Sequence, residues 1–187
     1  MNGQQQVSIG RGATFFALGD NVSLRDAFGR VLCTLGQERQ DFFVFDADVA
    51  GGTGAMHFLK AFPKRVIQFG IAEQYMMAAA AGFATSSLIP VVTTFAAFGT
   101  MRAHEQLRTA VAYGQRNVKL CCSHLGVDTG PDGATAQMME DIATVRAIPG
   151  MTVVVPADAN ELMLAFEQIL NHVGPAYMRI GRSPAPV

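Results

Sequence analysis

Charge is scarce in this chain. Only 16% of its 187 residues are Asp, Glu, Lys or Arg, and half are apolar; a soluble domain usually carries about 25% charged residues. Tryptophan is absent. There is also no run of roughly 18 uninterrupted apolar residues, the length that a membrane span requires. The longest soft stretch, Tyr75 to Ala84, is too short to span and too apolar to face water. A helix that is apolar nearly all round is buried in a core or an interface, so an unusually large partner surface is expected and a membrane association is not. Basic residues form no block and the formal net charge is −1, which argues against a nucleic-acid surface that tracks phosphates. Cysteine is limited to Cys33, Cys121 and Cys122, too few for a disulfide framework. The adjacent pair, if in a strand, points to opposite faces. Reduced, buried thiols in a cytoplasmic protein are the simplest expectation. The polar, Gln-rich start, Met1 to Ser8, lacks the basic and apolar regions of a secretory signal. Residues 1–22 are expected to form a partly disordered N-terminal extension, and 23–187 one domain. No CxxC, HExxH or P-loop pattern occurs, and His57, His104 and His172 have no ligand spacing, so no metal ligand set is assigned.

What is present is an alternation of short apolar runs with longer helical patterns. Strands are expected at Phe42–Phe45, Arg65–Phe69, Pro90–Thr94, Asn117–Ser123, Met151–Val155 and Ala176–Ile180. Helices are expected at Ser23–Leu35, Gly54–Ala61, Ala72–Ser86, Phe98–Tyr113, Met138–Ala147 and Ala159–His172. Ser23 and Asp158 stand where helix N-caps are needed. This rhythm predicts an α/β fold, a parallel sheet of about six strands with helices on both faces. Two connections are rich in glycine: Asp46–Ala55, and Gly126–Gln137 with Asp128 and Asp132. Each follows the carboxyl end of a strand, the edge where open α/β sheets bind ligands. They are otherwise ordinary surface loops.

Several side chains near that edge are candidates for chemistry, each with a plainer alternative. Glu73 opens a very apolar helix; it either complements the helix dipole or sits in a dry site where its carboxyl can hydrogen-bond a ring nitrogen. Phe95 and Phe98, three apart after a strand, belong either to the core or to a platform for a planar ligand. His124 closes a strand and opens the second glycine-rich loop. Asp132, central in that loop, binds a hydroxyl or caps a turn. Arg182 follows the last strand and suits phosphate, unless it is simply a surface arginine.

Together these segments resemble the transketolase family. Gly70-Ile71-Ala72-Glu73-Gln74 is similar to its G-I-x-E-Q/H motif. Thr94-Phe95-Ala96-Ala97-Phe98 followed by Arg102-Ala103-His104-Glu105-Gln106 is similar to T-F-x-x-F and R-A-Y-D-Q. Asp132-Gly133-Ala134-Thr135 is similar to D-G-x-T-H. Glu140-Asp141-Ile142-Ala143, Arg146-Ala147-Ile148-Pro149 and Pro156 to Glu161 complete the match, which covers Leu24 to Arg182. The resemblance implies the pyrimidine-binding domain of a thiamin diphosphate enzyme. In such enzymes the cofactor lies between this domain and a diphosphate domain that carries the Mg2+ or Ca2+ ligands. The Gly-Asp-Gly pattern of that second domain is not found here, so a separate diphosphate-binding subunit is expected. The arrangement would be that of a transketolase split into two chains, with this chain pairing as a homodimer inside a hetero-oligomer. Split second subunits usually continue into a third domain, whereas this sequence stops just after Arg182.

By position, the resemblance assigns Glu73 to the pyrimidine N1′, Phe98 to the ring face and Phe95 to a wall beside it. Met101 falls where an aromatic or apolar residue often stands, and Asp48 and Gly52 lie in a loop that helps to form the site. His124 and Asp132 match substrate-channel residues, and Arg25 and Arg182 match residues that hold the sugar phosphate. Two positions depart from the pattern. Ala136 replaces the histidine of D-G-x-T-H and has no proton to give. Gly52 stands about where a phosphate-binding serine can occur, which leaves that contact absent or moved to Thr53. The leading expectation is transfer of a two-carbon ketol unit. A deoxyxylulose-phosphate synthase-like enzyme, a 2-oxo acid dehydrogenase beta-like subunit and a non-catalytic or regulatory module are the alternatives. Ala136 favours the last; Glu73, Phe98, His124 and Asp132 oppose it.

Overall fold

A computed structural model of the chain describes residues 15–187, so the first part of the expected extension lies outside the described residues. Its centre is a six-stranded, all-parallel sheet. The strands are β2 (Phe42–Asp46), β3 (Val66–Gln68), β4 (Ile89–Phe95), β5 (Lys119–Ser123), β6 (Thr152–Val154) and β7 (Ala176–Arg179). They lie side by side in the order β3-β2-β4-β5-β7-β6. All six strands expected from the sequence are present, because strands covered on both faces are short and continuously apolar. A second sheet was not anticipated. β1 (Asn21–Ser23) pairs antiparallel with β8 (Pro184–Pro186), joining the two ends of the domain. With three residues each and two prolines in β8, neither segment carries a strand pattern.

Helices cover both faces of the large sheet. On one side are α1 (Leu24–Glu38), the short α2 (Ala50–Thr53), α3 (Met56–Ala61) and α7 (Ala159–Asn171). They pack Phe28, Leu32, Phe58, Met163 and Phe166 onto Phe42, Val44, Val91, Cys121 and Met178. On the other side are α4 (Glu73–Phe83), α5 (His104–Gln106) with its flanking turns, and α6 (Asp141–Arg146). They bury Met76, Met77, Leu107 and Val145 against Phe45, Val92, Leu120, Cys122 and Tyr177. Cys121 and Cys122 thus enter opposite cores, as the two-residue period of a strand requires. Burial pushes both thiols well above their ordinary value.

Caps set the helix starts where the sequence carries them. Ser23 Oγ accepts from the Asp26 N–H at 3.2 Å, and Asp158 Oδ1 from the Glu161 N–H at 2.8 Å. Two expected helices are altered. The one over Gly54–Ala61 is shortened to α3, and Gly54, at φ 86°, ends the short α2 that precedes it and was not anticipated. A Cβ there would lie 2.1 Å from the Arg25 carbonyl oxygen, so only glycine lets this loop press against the first turn of α1. The helix over Phe98–Tyr113 is interrupted by π-helical turns at Ala97–Arg102 and Leu107–Tyr113. A π turn takes in an extra residue and commonly marks a functional site. Residues 15–22 are held to the domain: the Phe16 N–H donates to Asn160 Oδ1 at 2.9 Å, and Asn160 Nδ2 donates back to the Phe16 carbonyl at 3.0 Å.

Candidate active site

The carboxyl ends of β2, β4, β5 and β7 and the start of α4 bring most of the candidate residues together. Glu73 is the first residue of α4 and is only 2% exposed. Its carboxylate faces Arg102, whose Nη1 lies 3.3 Å from Oε2 and 3.4 Å from Oε1. The same guanidinium stacks 4.6 Å above the Phe98 ring. Phe98 in turn stacks on Phe95 at 5.6 Å, and Phe95 on His124 at 3.6 Å, both with rings 20° from parallel. Three planar groups, Arg102, Phe98 and Phe95, therefore link Glu73 to His124.

His124 leaves β5 in the left-handed region, φ 62°. That conformation is costly for a residue with a Cβ, and it persists where surrounding contacts enforce it. Here Ser123 Oγ lies 2.9 Å from its Nδ1 and Asp132 Oδ2 3.3 Å from its Nε2. Arg182 closes this end: Nη1 donates to the Thr129 carbonyl and lies 3.7 Å from Asp132 Oδ2, and its backbone N–H donates to Asp128 Oδ2 at 2.6 Å. Burial lowers the pKa of His124; Arg182 and Arg25 reinforce the shift, while Asp132 and Asp128 oppose it. Between the ordinary value of 6.5 and the lowered one, the unfolded chain binds the proton that folded His124 refuses. The stability that neutral His124 contributes is therefore complete above pH 6.5 and declines as the pH falls through that window. Urea denaturation at pH 7.5 and 5.5 is expected to give a smaller loss for His124→Gln than for the wild type; equal losses would remove His124 as the source.

The loop after β2 is organised by Asp46, a buried carboxylate that accepts from the Val49 N–H at 3.1 Å, Gln68 Nε2 at 2.8 Å and Thr93 Oγ1 at 3.3 Å. Burial raises its pKa against these hydrogen bonds. Asp48, at φ 64°, follows with an exposed side chain, and its N–H donates to Gln68 Oε1 at 3.4 Å. Gly52 backs onto the stack. A Cβ there would come within 2.7 Å of the Phe95 ring and 3.2 Å of His124, so a serine could enter only if those rings moved. Arg25 carries a buried Nε with no hydrogen-bond partner, and Thr94 Oγ1 at the end of β4 is orphaned in the same way. A buried donor without an acceptor costs about 1–3 kcal/mol, and an anionic ligand would relieve it. Ala136 is buried, and its N–H donates to the Gly133 carbonyl at 3.0 Å. Met101, next to Arg102 in the chain, is exposed. In the sequence Arg102 stands out only as part of the Arg102-to-Gln106 motif; its pairing with Glu73 spans 29 positions and leaves no local signal.

A family model described as transketolase, pyrimidine binding domain, matches residues 20–186. The chain belongs to the transketolase family. A transketolase C-terminal section from Methanocaldococcus jannaschii is 41% identical over 159 residues, 85% of this chain and 50% of that protein. A 6-deoxy-6-sulfo-D-fructose transketolase subunit from Clostridium sp. (strain MSTE9) is 39% identical over 162 residues, 87% of this chain and 50% of that protein. A solved split gene transketolase, an inactive beta4 tetramer, superposes with TM-score 0.80 at 39% identity, covering 90% of this chain and 54% of that one. The chain thus spans about half the length of these two relatives. Among the described residues no group of three or more His, Cys, Asp and Glu side chains could hold a metal ion, and no helix is long and apolar enough to cross a membrane.

Proposed function

We propose that this chain is the pyrimidine-domain subunit of a thiamin diphosphate-dependent transketolase in the cytoplasm, working with a separate diphosphate-binding subunit that supplies the Mg2+ or Ca2+ ligands. The observation that carries the reading is a buried carboxylate, Glu73, set beside an aromatic stack whose far end is a histidine flanked by Arg25 and Arg182. The residues suit the cofactor. A planar, nitrogen-bearing group already fits between Phe98 and Glu73 in the form of the Arg102 guanidinium. When bound, the cofactor supplies a carbon nucleophile and holds the transferred two-carbon fragment.

The protein's part is to hold and move protons and to orient. Glu73 would keep a proton at the pyrimidine ring nitrogen, and Phe98 and Phe95 would fix the ring plane. Met101 and the Asp48 loop would border the ring. His124 and Asp132, 3.3 Å apart, would hold hydroxyls of the donor sugar. Arg25 Nε, with no acceptor of its own, and Arg182 would bind the anionic end of the substrate. Exposed Ile71 and Tyr75, on the segment that carries Glu73, would pack against a second copy in a symmetric pairing. Ala136 removes one proton donor from the substrate channel, which favours a donor other than the usual ketose phosphates. The sulfosugar named for the Clostridium relative extends the test to sulfonates.

The test is ketol transfer by this chain mixed with its partner subunit, Mg2+ and thiamin diphosphate, using phosphorylated and sulfonated ketose donors. Turnover that needs both chains is expected. Formation of the complex without cofactor binding or turnover on any donor would instead favour a regulatory module.

A further inference from the structure

The Arg102 guanidinium meets both of the elements that the proposed site offers to a pyrimidine ring. It lies 4.6 Å above Phe98, within stacking distance, and 3.3–3.4 Å from both oxygens of Glu73. A guanidinium and a protonated aminopyrimidine share the relevant chemistry: each is planar, delocalised, cationic and an N–H donor toward a carboxylate. A second planar ring cannot occupy the Phe98 face while the guanidinium rests there. Arg102 is 49% exposed on its side chain, so it has room to swing into solvent, whereas Glu73 is fixed in the helix N-terminus. The residue sits at the end of the π turn Ala97–Arg102, a kind of turn found frequently at functional sites.

We infer that Arg102 is an internal stand-in for the cofactor's pyrimidine: it covers Phe98 and pairs with Glu73, and it must leave before the cofactor can seat. This inference rests on the proposed thiamin diphosphate site. Arg102 gives a buried carboxylate its ion-pair partner, and a bound cofactor would compete with that contact.

Two measurements on the chain assembled with its partner subunit test this. Phenylglyoxal labelling followed by peptide mapping reads Arg102 directly in the wild type. Labelling is expected to accelerate when saturating thiamin diphosphate is added, and also, without cofactor, in Glu73→Gln. Calorimetric titration with thiamin diphosphate and Mg2+ reads the competition: Arg102→Ala is expected to bind about three- to tenfold more tightly than the wild type, the range set by an exposed ion pair and an exposed cation–π contact. Arg102→Lys, which keeps the charge but loses the planar face, is expected to gain less. Slower labelling on cofactor addition, or affinity unchanged or weakened in Arg102→Ala, would make Arg102 an ordinary cofactor contact or a bystander and would overturn the inference alone. If the wild type and Arg102→Ala both fail to bind thiamin diphosphate, the inference falls together with the proposed function. A variant that fails to assemble leaves the wild-type labelling result decisive.

Discussion

Glu73→Gln is expected to lower the turnover of the two-chain assembly by about 10²–10⁴, the usual contribution of a positioned proton-transfer group. The replacement is nearly isosteric and keeps a hydrogen-bonding side chain at the first position of α4, so the fold should survive it. What is lost is the ability to hold a proton at a ring nitrogen. The residue is buried, so water cannot easily take over that role. The loss should fall on kcat at saturating cofactor, with a smaller effect on cofactor affinity because the ring would still stack on Phe98. Steady-state kinetics of the reconstituted assembly checks this. A variant that retains more than about a tenth of wild-type turnover would show that Glu73 only complements the helix dipole, where charge is worth about 0.3–1 kcal/mol.

Asp141→Ala is expected to cost about 3–5 kcal/mol of stability, the penalty for stranding a buried charge network, out of a total that is typically about 5–15 kcal/mol. Asp141 is fully buried at the first turn of α6. It accepts from Tyr177 Oη at 2.7 Å, from Arg179 Nε at 2.8 Å and from Arg179 Nη2 at 3.3 Å. These bonds tie α6 to β7, and so anchor the loop that carries Asp132, whose far end is closed by the Gly126 N–H donating to the Met138 carbonyl at 2.7 Å. Removing the carboxylate strands a guanidinium and a phenol together. Tyr177→Phe removes only one donor and should cost about 1 kcal/mol. Urea denaturation midpoints of the two variants check the ratio. A loss under about 1 kcal/mol for Asp141→Ala would mean that water enters and replaces the carboxylate.

The fold was legible because its strands and helices carry strong periodic signals. Phe42 to Asp46 and Ile89 to Phe95 are buried nearly throughout, and the caps Ser23 and Asp158 stand where the helices begin. The features that escaped notice arise from contacts distant in sequence or from local irregularity. The π turns around α5 follow from packing, and helix propensity does not distinguish them from an ordinary helix. Asp141 appeared only as part of a motif, because its partners lie 36 and 38 positions away. At the candidate site, His124, Phe95, Phe98, Asp132 and Arg182 could be nominated because each sits at a strand end or in a glycine-rich loop. Their mutual stacking, the left-handed backbone of His124 and the Arg102–Glu73 pair could not be.

The small β1–β8 ladder has a kinetic consequence. Ser23 pairs with Pro184, and Leu24 lies close enough to Gly181 that an added Cβ would sit 3.0 Å from its Cδ1. Arg25 and Arg182, which come from opposite ends of the domain, both act on His124, and the clasp lies next to each of them in the chain. Closing the longest loop of the chain carries a large entropic cost before any contact rewards it. The β1–β8 clasp should therefore close late in folding, after the sheet and both cores are in place. A partly folded chain would then hold Glu73 and the aromatic stack with its two ends still unclasped.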